Sequence, residues 1–381
     1  MFDGIVPRMF DLERQLLCFV LHEAVFLPAL QASLYHRSPA HVKSKTKGKK
    51  KDPVNERLET LGDAWLNYYA GFVDKPVMME EGMMTLLRKN VVSNARLIKC
   101  ADGRGLREFM YPPRSILGRP FEMWAPSLLP LPPAVKANRK TIADVVEALL
   151  GAALVAGGNR SAAFLMEWLG LPTLEASNNP DKPDEPPAQQ QQEQRHQQQK
   201  TPQETEVYVT TKPSARLMGN ITRLEQKLSY TFKHPWLCMQ AITHPSWTIK
   251  SPAEPGTVPA QDYQRLEFLG DAVLGWLVTA HLYFASSTFT PAELTRIKAS
   301  CVCNASLWFI ALKLDIHNVL RASPKILGNV HAFIEASQFG ELLNQNNNRT
   351  LPGKSTPPKH PADVLEALIG AVFLDSSCCM E

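Results

Sequence analysis

An all-α fold of two related helical domains is what this sequence predicts, on three observations. Apolar residues recur at helix period, as in Leu266, Leu269, Val273, Leu277 and Val278. No alternating run flanked by a tight-turn signal marks a β-hairpin. A pair of acidic motifs also occurs twice. The first copy reads ERLETLGDAWL (Glu56 to Leu66) and ADVVEALLGAAL (Ala143 to Leu154); the second reads QRLEFLGDAVL (Gln264 to Leu274) and ADVLEALIGAVF (Ala362 to Phe373).

The likeness between the halves extends beyond those motifs. RKNVVSNARL (Arg88 to Leu97) faces KASCVCNASL (Lys298 to Leu307), and LPALQASL (Leu27 to Leu34) faces WLCMQAIT (Trp236 to Thr243). Lys140 stands four residues before Asp144, and Lys359 four before Asp363. A period this long is a domain duplication and not a solenoid. Between the copies, residues 175–215 hold Pro180, Pro183, Pro186, Pro187 and two glutamine runs, with almost no large apolar side chain before Val207. Such a segment buries too little surface to offset its ordering entropy, so it reads as a disordered tether. The domains are therefore expected at residues 8–174 and 216–377.

The bulk numbers exclude little. A chain of 381 residues holds two or three domains, and 44% apolar residues is ordinary for a soluble protein. A net charge of +4 does not by itself demand a nucleic-acid partner. The basic run Lys43, Lys45, Lys47, Lys49, Lys50 and Lys51 reads as a solvated loop, with a phosphate-contacting arm or a nuclear signal as alternatives. Seven cysteines without zinc-site spacing read as reduced thiols of an intracellular protein. The apolar stretch 15–34 is interrupted by His22, Glu23, Pro28 and Gln31, so it reads as core helices and not as a membrane span.

Chemistry concentrates in the acidic motifs. Glu59 and Asp63 are four apart, as are Glu267 and Asp271; Asp144 and Glu147 are three apart, as are Asp363 and Glu366. On helices these spacings put each pair on one face. Packing the two helices of a copy through their apolar faces makes the acidic edges converge. Like charges about 4 Å apart repel by about 4 kcal/mol at an effective dielectric of 20, so convergence calls for a cation. An oxygen-only ligand set favours Mg²⁺ or Mn²⁺ over zinc. Gly62 and Gly270 lie between paired carboxylates, at a helix-propensity cost of about 1 kcal/mol each, which predicts close helix approach there. Gly151 and Gly370 suit the same packing role.

At these residues the chain resembles the ribonuclease III family, whose signature is close to ERLEFLGDAVL. LSYTFKHPWLCMQAITHPSW (Leu228 to Trp247) is similar to that family's N-terminal helix region. Two such domains in tandem resemble the Dicer class, and the LETLGD form of the first copy leans toward the fungal members. The resemblance implies two all-helical nuclease domains forming an intramolecular pseudo-dimer. It implies Mg²⁺-dependent cleavage of double-stranded RNA, with Mn²⁺ as a substitute. Each centre would cut one strand and leave short duplexes with 3′ overhangs, as in RNA interference. The family's metal-site carboxylates fall on Glu59, Asp63, Asp144 and Glu147, then on Glu267, Asp271, Asp363 and Glu366. Lys140 and Lys359 match a Dicer lysine expected to contact the scissile phosphate or orient a carboxylate; capping of the acidic cluster is the alternative. Asn94 and Asn304 match a family asparagine expected to brace the acidic helices.

Some positions depart from the signature. Thr60 replaces the usual Phe, Trp65 is large for its place, and Gln264 stands where Glu56 stands in the first copy. None of these removes a core carboxylate. The rival reading is a catalytically silent RNA-binding or assembly module, and retention of all eight carboxylates favours the enzyme. The expected partners are double-stranded RNA and silencing-complex proteins, without a membrane, in cytoplasm or nucleus. No helicase motif, end-binding (PAZ) domain or double-stranded-RNA-binding domain is recognisable in the chain, which reads as a Dicer nuclease core.

Overall fold

The computed structural model describes residues 56–71, 81–108, 139–172, 215–248, 261–336 and 356–376. The linker 175–215, the lysine run 43–51 and the stretch 15–34 lie outside them. Regular structure among the described residues is helical, apart from one isolated bridge between Thr243 and Arg321.

The first acidic motif forms α1 (Glu56–Ala70), whose apolar face buries Leu58, Leu61, Trp65 and Leu66. Helices α2 (Glu81–Val92) and α3 (Asn94–Gly103) follow. Ser93 caps α3 by accepting from the Arg96 N–H at 3.4 Å. The second motif opens α4 (Arg139–Leu169), which kinks at Gly157 and Gly158, where Gly158 takes φ +67°. The Ala/Val/Leu run of α4 is buried almost all round, against α1 on one side and α3 on another. Each fully buried Leu, Val or Ile there contributes about 1.5–3 kcal/mol by leaving water.

The second copy contributes α5 (Ala215–Leu228), α6 (Pro235–Ala241) and the single turn α7 (Pro245–Thr248). Helix α8 (Gln264–Ala285) carries its first acidic motif, and α9 (Pro291–Cys301) follows. A capping box fixes the start of α9: Thr290 accepts from the Glu293 N–H and the Glu293 side chain accepts from the Thr290 N–H, with Pro291 in the first turn. Then come α10 (Asn304–Lys313), the single turn α11 (Ile316–Val319), α12 (Pro324–Ala336) and α13 (His360–Asp375). Helix α13 carries the last acidic motif and packs against α6 and α10.

The chain forms two compact units. One holds the described residues of 56–172 together with 272–303; the other holds those of 215–271 and 304–376. The duplicated sequence units, which we propose run 8–174 and 216–377, thus differ from the packing units by the segment 272–303. Inside the first unit, Trp276 of α8 stacks on Tyr68 of α1, with ring centroids 6.1 Å apart. The Arg57 guanidinium lies over the Tyr283 ring and donates to the carbonyls of Tyr283, Ser286 and Phe289 at the end of α8. The Tyr283 carbonyl is one of the last four of α8, whose hydrogen bonds cannot continue along the helix, and a cation there suits the helix dipole; Ser286 and Phe289 lie just beyond the helix end. By length and composition α4 and α8 are apolar enough to cross a bilayer, yet α4 is a buried core helix and both carry site carboxylates.

Candidate functional site

Glycine sets each acidic helix pair. A Cβ on Gly62 would lie 1.8 Å from the Glu147 carbonyl oxygen, and one on Gly151 would lie 2.1 Å from the Leu58 carbonyl oxygen. The second copy repeats the arrangement, with Gly270 against the Glu366 carbonyl at 1.7 Å and Gly370 against the Leu266 carbonyl at 2.3 Å. No side chain fits at any of the four positions. The backbones of α1 and α4, and of α8 and α13, touch there, as the sequence predicted.

That crossing brings carboxylates together. Glu59, Asp144 and Glu147 place one ligand oxygen each within 4.8 Å of one another, and so do Glu267, Asp363 and Glu366. Asp63 and Asp271 stand one turn further on, outside these tight groups, each with part of its surface reaching solvent and the rest packed against protein. They remain in electrostatic range, because each exerts the largest repulsion on the last glutamate of its own site. Asp63 also accepts from the Asn67 amide at 2.9 Å.

The electrostatics of the two sites agree. Burial first, then Asp63, Glu59 and Asp144, push Glu147 up to about 9. Burial, then Asp271, Glu267 and Asp363, push Glu366 up to about 8. Burial also raises Asp363, against the opposing influence of Lys359 and Tyr263. Both lysines sit on the carboxylates: Lys140 Nζ lies 2.7 Å from Asp144 and 3.8 Å from Glu59, and Lys359 Nζ lies 3.1 Å from Glu267 and 3.2 Å from Asp363. Burial opposes the Lys359 charge, but these bonds and charges outweigh it and hold its pKa at about 12. Lys140 is raised by the Asp144 bond in the same way. Residual repulsion of this size, among little-exposed oxygen ligands, fits a hard divalent cation at each cluster.

The departures from the motif pattern have local explanations. Thr60 bonds back to the Glu56 carbonyl at 2.8 Å within its own helix, whereas Phe268 is buried. Trp65 is fully buried, stacks on Tyr69 and donates to Asn159 at 2.9 Å. Asn94 and Asn304 open α3 and α10 as exposed residues, and among the described residues no hydrogen bond ties them to the acidic helices. Sequence reasoning missed Lys298 of α9, the chief opposing influence on Asp63, whose pKa burial raises. It missed Tyr263, whose hydroxyl donates to Asp363 at 3.2 Å. It also missed Asp375, buried at the end of α13, which accepts from the Tyr230 hydroxyl and the Lys233 and His234 N–H groups at 2.8 Å each. No spacing rule signals such contacts, because each joins distant segments.

Fold and sites together define the class: an all-helical protein with a duplicated acidic helix-pair site. Residues 56–158 and 264–377 both match the ribonuclease III domain model. The chain belongs to that family, with one ribonuclease III domain match in each copy. It is 30% identical over 356 residues to Endoribonuclease Dicer homolog 4 of Oryza sativa subsp. japonica, which covers 84% of this chain and 19% of that protein. It is 30% identical over 368 residues to Endoribonuclease Dicer homolog 1 of Arabidopsis thaliana, covering 84% and 17%. The chain thus spans about a fifth of the length of these curated relatives. Among solved structures, the nuclease domain of ribonuclease III from Campylobacter jejuni is 30% identical, covering 42% of this chain and 86% of that one at a TM-score of 0.29. The two relatives are plant proteins and do not bear on the fungal lean.

Proposed function

We propose that this chain is a divalent-metal-dependent endoribonuclease that cuts double-stranded RNA, each acidic site acting on one strand and leaving 3′ overhangs, as in Dicer-type silencing. The duplicated carboxylate cluster carries the reading: two triads of oxygens within 4.8 Å, each with a fourth carboxylate one turn away.

Glu59, Asp63, Asp144 and Glu147 would hold the metal of the first site, and Glu267, Asp271, Asp363 and Glu366 that of the second. Mg²⁺ is the proposed ion and Mn²⁺ its substitute. When bound, such an ion activates water and stabilises the leaving oxygen of a phosphodiester. The remaining work belongs to the chain. The glycine crossings fix the helix backbones that carry the carboxylates. Lys140 pairs with Asp144, and Lys359 with Asp363 and Glu267, while both lysine side chains stay largely exposed, which supports a role in orienting those carboxylates and in meeting a phosphate oxygen. Substrate recognition should follow duplex shape and phosphate and 2′-hydroxyl contacts, with little sequence preference.

Cleavage of a strand-labelled RNA duplex across a Mg²⁺ and Mn²⁺ titration tests the proposal. Metal-dependent cutting of both strands is expected. Duplex binding without cutting at millimolar metal would instead identify a silent RNA-binding module.

A further inference from the structure

We propose that Tyr263 is a positioning residue of the second site alone, holding the Asp363 carboxylate for the cation; this rests on the metal-dependent reading above. Asp363 is 1% exposed. Its two oxygens are taken by different partners: the Lys359 ammonium on Oδ1 at 3.2 Å and the Tyr263 hydroxyl on Oδ2 at 3.2 Å. Two donors from different segments restrain the carboxylate and leave lone pairs for a cation, with an Asp363 oxygen within 4.8 Å of ligand oxygens of Glu267 and Glu366.

The tyrosine is itself fixed. It is 3% exposed, its N–H donates to the Thr243 carbonyl at 2.9 Å, and its own carbonyl accepts from the Glu267 N–H at 2.8 Å. It therefore stands at the start of α8, tied through the backbone to a second candidate ligand. The His244 ring packs edge-on against the Tyr263 ring at 5.5 Å and against His360 at 4.6 Å. His360 Nδ1 lies 3.5 Å from the phenol oxygen. The hydroxyl thus has two polar neighbours, the Asp363 carboxylate at 3.2 Å and His360 Nδ1 at 3.5 Å, and the charged, closer carboxylate is the stronger acceptor.

The first copy is built from other residues at these places. In the register that aligns Glu56 with Gln264, Asn55 stands at the Tyr263 position; Thr141 matches His360 and Tyr35 matches His244. Removing the phenol oxygen should therefore act on one site and spare the other.

The test is Tyr263→Phe, with Mn²⁺ binding followed by electron paramagnetic resonance in the absence of RNA and strand-specific cleavage followed beside it. Mn²⁺ affinity at one of two sites should fall by about 10-fold or more, the usual loss when an outer partner of a metal ligand is removed. Cutting by the second site should need correspondingly more metal and recover at saturation, while first-site cutting stays unchanged. Unchanged Mn²⁺ affinity in the variant overturns the proposal and leaves the nuclease reading standing. Loss of both cuts together also overturns it, by making Tyr263 a residue of the fold. A wild-type chain that binds no Mn²⁺ overturns the metal reading and this proposal with it.

Discussion

Gly270→Ala should close down the second site through the backbone, without touching a carboxylate. The new Cβ would lie 1.7 Å from the Glu366 carbonyl oxygen, 2.6 Å from its carbon and 2.9 Å from the Gly370 nitrogen. Ordinary contact begins near 3.5 Å, so α8 and α13 must part by roughly 1.8 Å. Overpacking of this kind costs about 1–3 kcal/mol, and the upper end applies because the opposing atoms are main chain. Better helix propensity returns about 1 kcal/mol. The net of about 2 kcal/mol should lower the melting temperature by roughly 5 °C. The larger effect is geometric: Glu366 moves away from Glu267, and a misplacement of about 1 Å costs about 100-fold in rate. Strand-resolved cleavage of a labelled duplex, with a thermal melt of the same sample, measures both. Second-site cutting should fall by about 100-fold and first-site cutting by little. A variant that melts and cuts like the wild type would refute the close-contact reasoning.

Other perturbations address the sites and the fold separately. Glu147→Gln should silence one site and Glu366→Gln the other, so each single variant nicks a duplex and the double variant leaves it whole; loss of both cuts from one substitution would sink the model of two independent sites. In the metal-free chain, Glu147 and Glu366 sit near 9 and 8 against an ordinary value of 4.5. Their contribution to stability is therefore fully present below about pH 4.5 and is lost as pH rises through 8 to 9. Chelated protein should melt progressively lower from pH 6 to 9, and Mg²⁺ binding at pH 7 should release about one proton per site, read by calorimetry in two buffers of different ionisation heat. No proton release would count against the crowded clusters. Burial pushes the Asp375 carboxyl up, but its hydrogen bonds from Lys233, Tyr230 and His234 outweigh that and hold it below the ordinary range. Its stabilisation is thus present above about pH 4 and lost as pH falls through the lowered value. Asp375→Asn should cost about 3 kcal/mol at pH 7, with the gap to wild type narrowing below pH 4 in chemical denaturation. A constant gap would show that charge plays no part.

What the sequence disclosed depended on how local each feature is. Carboxylates three or four apart declare a shared helix face, and a glycine between them is a breach of helix propensity that a close crossing explains; both features could be read from one stretch of chain at a time. That α1 meets α4 and α8 meets α13 followed from duplication, since the two motifs of a copy keep the same order. Tyr263 could not be read in this way, because its partner lies 100 residues on and a tyrosine before an acidic helix looks like any apolar flank. Lys298 reads in isolation as a surface lysine and gains meaning only where α9 packs on α1. Residues 272–303 read as part of the second copy by periodicity, and only packing reveals their place beside the first.

The bonds to Asp375 also bear on how the second unit folds. Tyr230, Lys233 and His234 precede α6, whereas Asp375 is the last residue of α13, so these contacts span 141 to 145 residues of chain. Loop-closure entropy opposes contacts of such range until intervening helices have shortened the path between the ends. The clasp should therefore form after the folding barrier, as the last fastening. Its loss would hardly slow refolding and would chiefly speed unfolding. The lifetime of the folded second site then depends on a carboxylate that makes no contact with the cleavage chemistry.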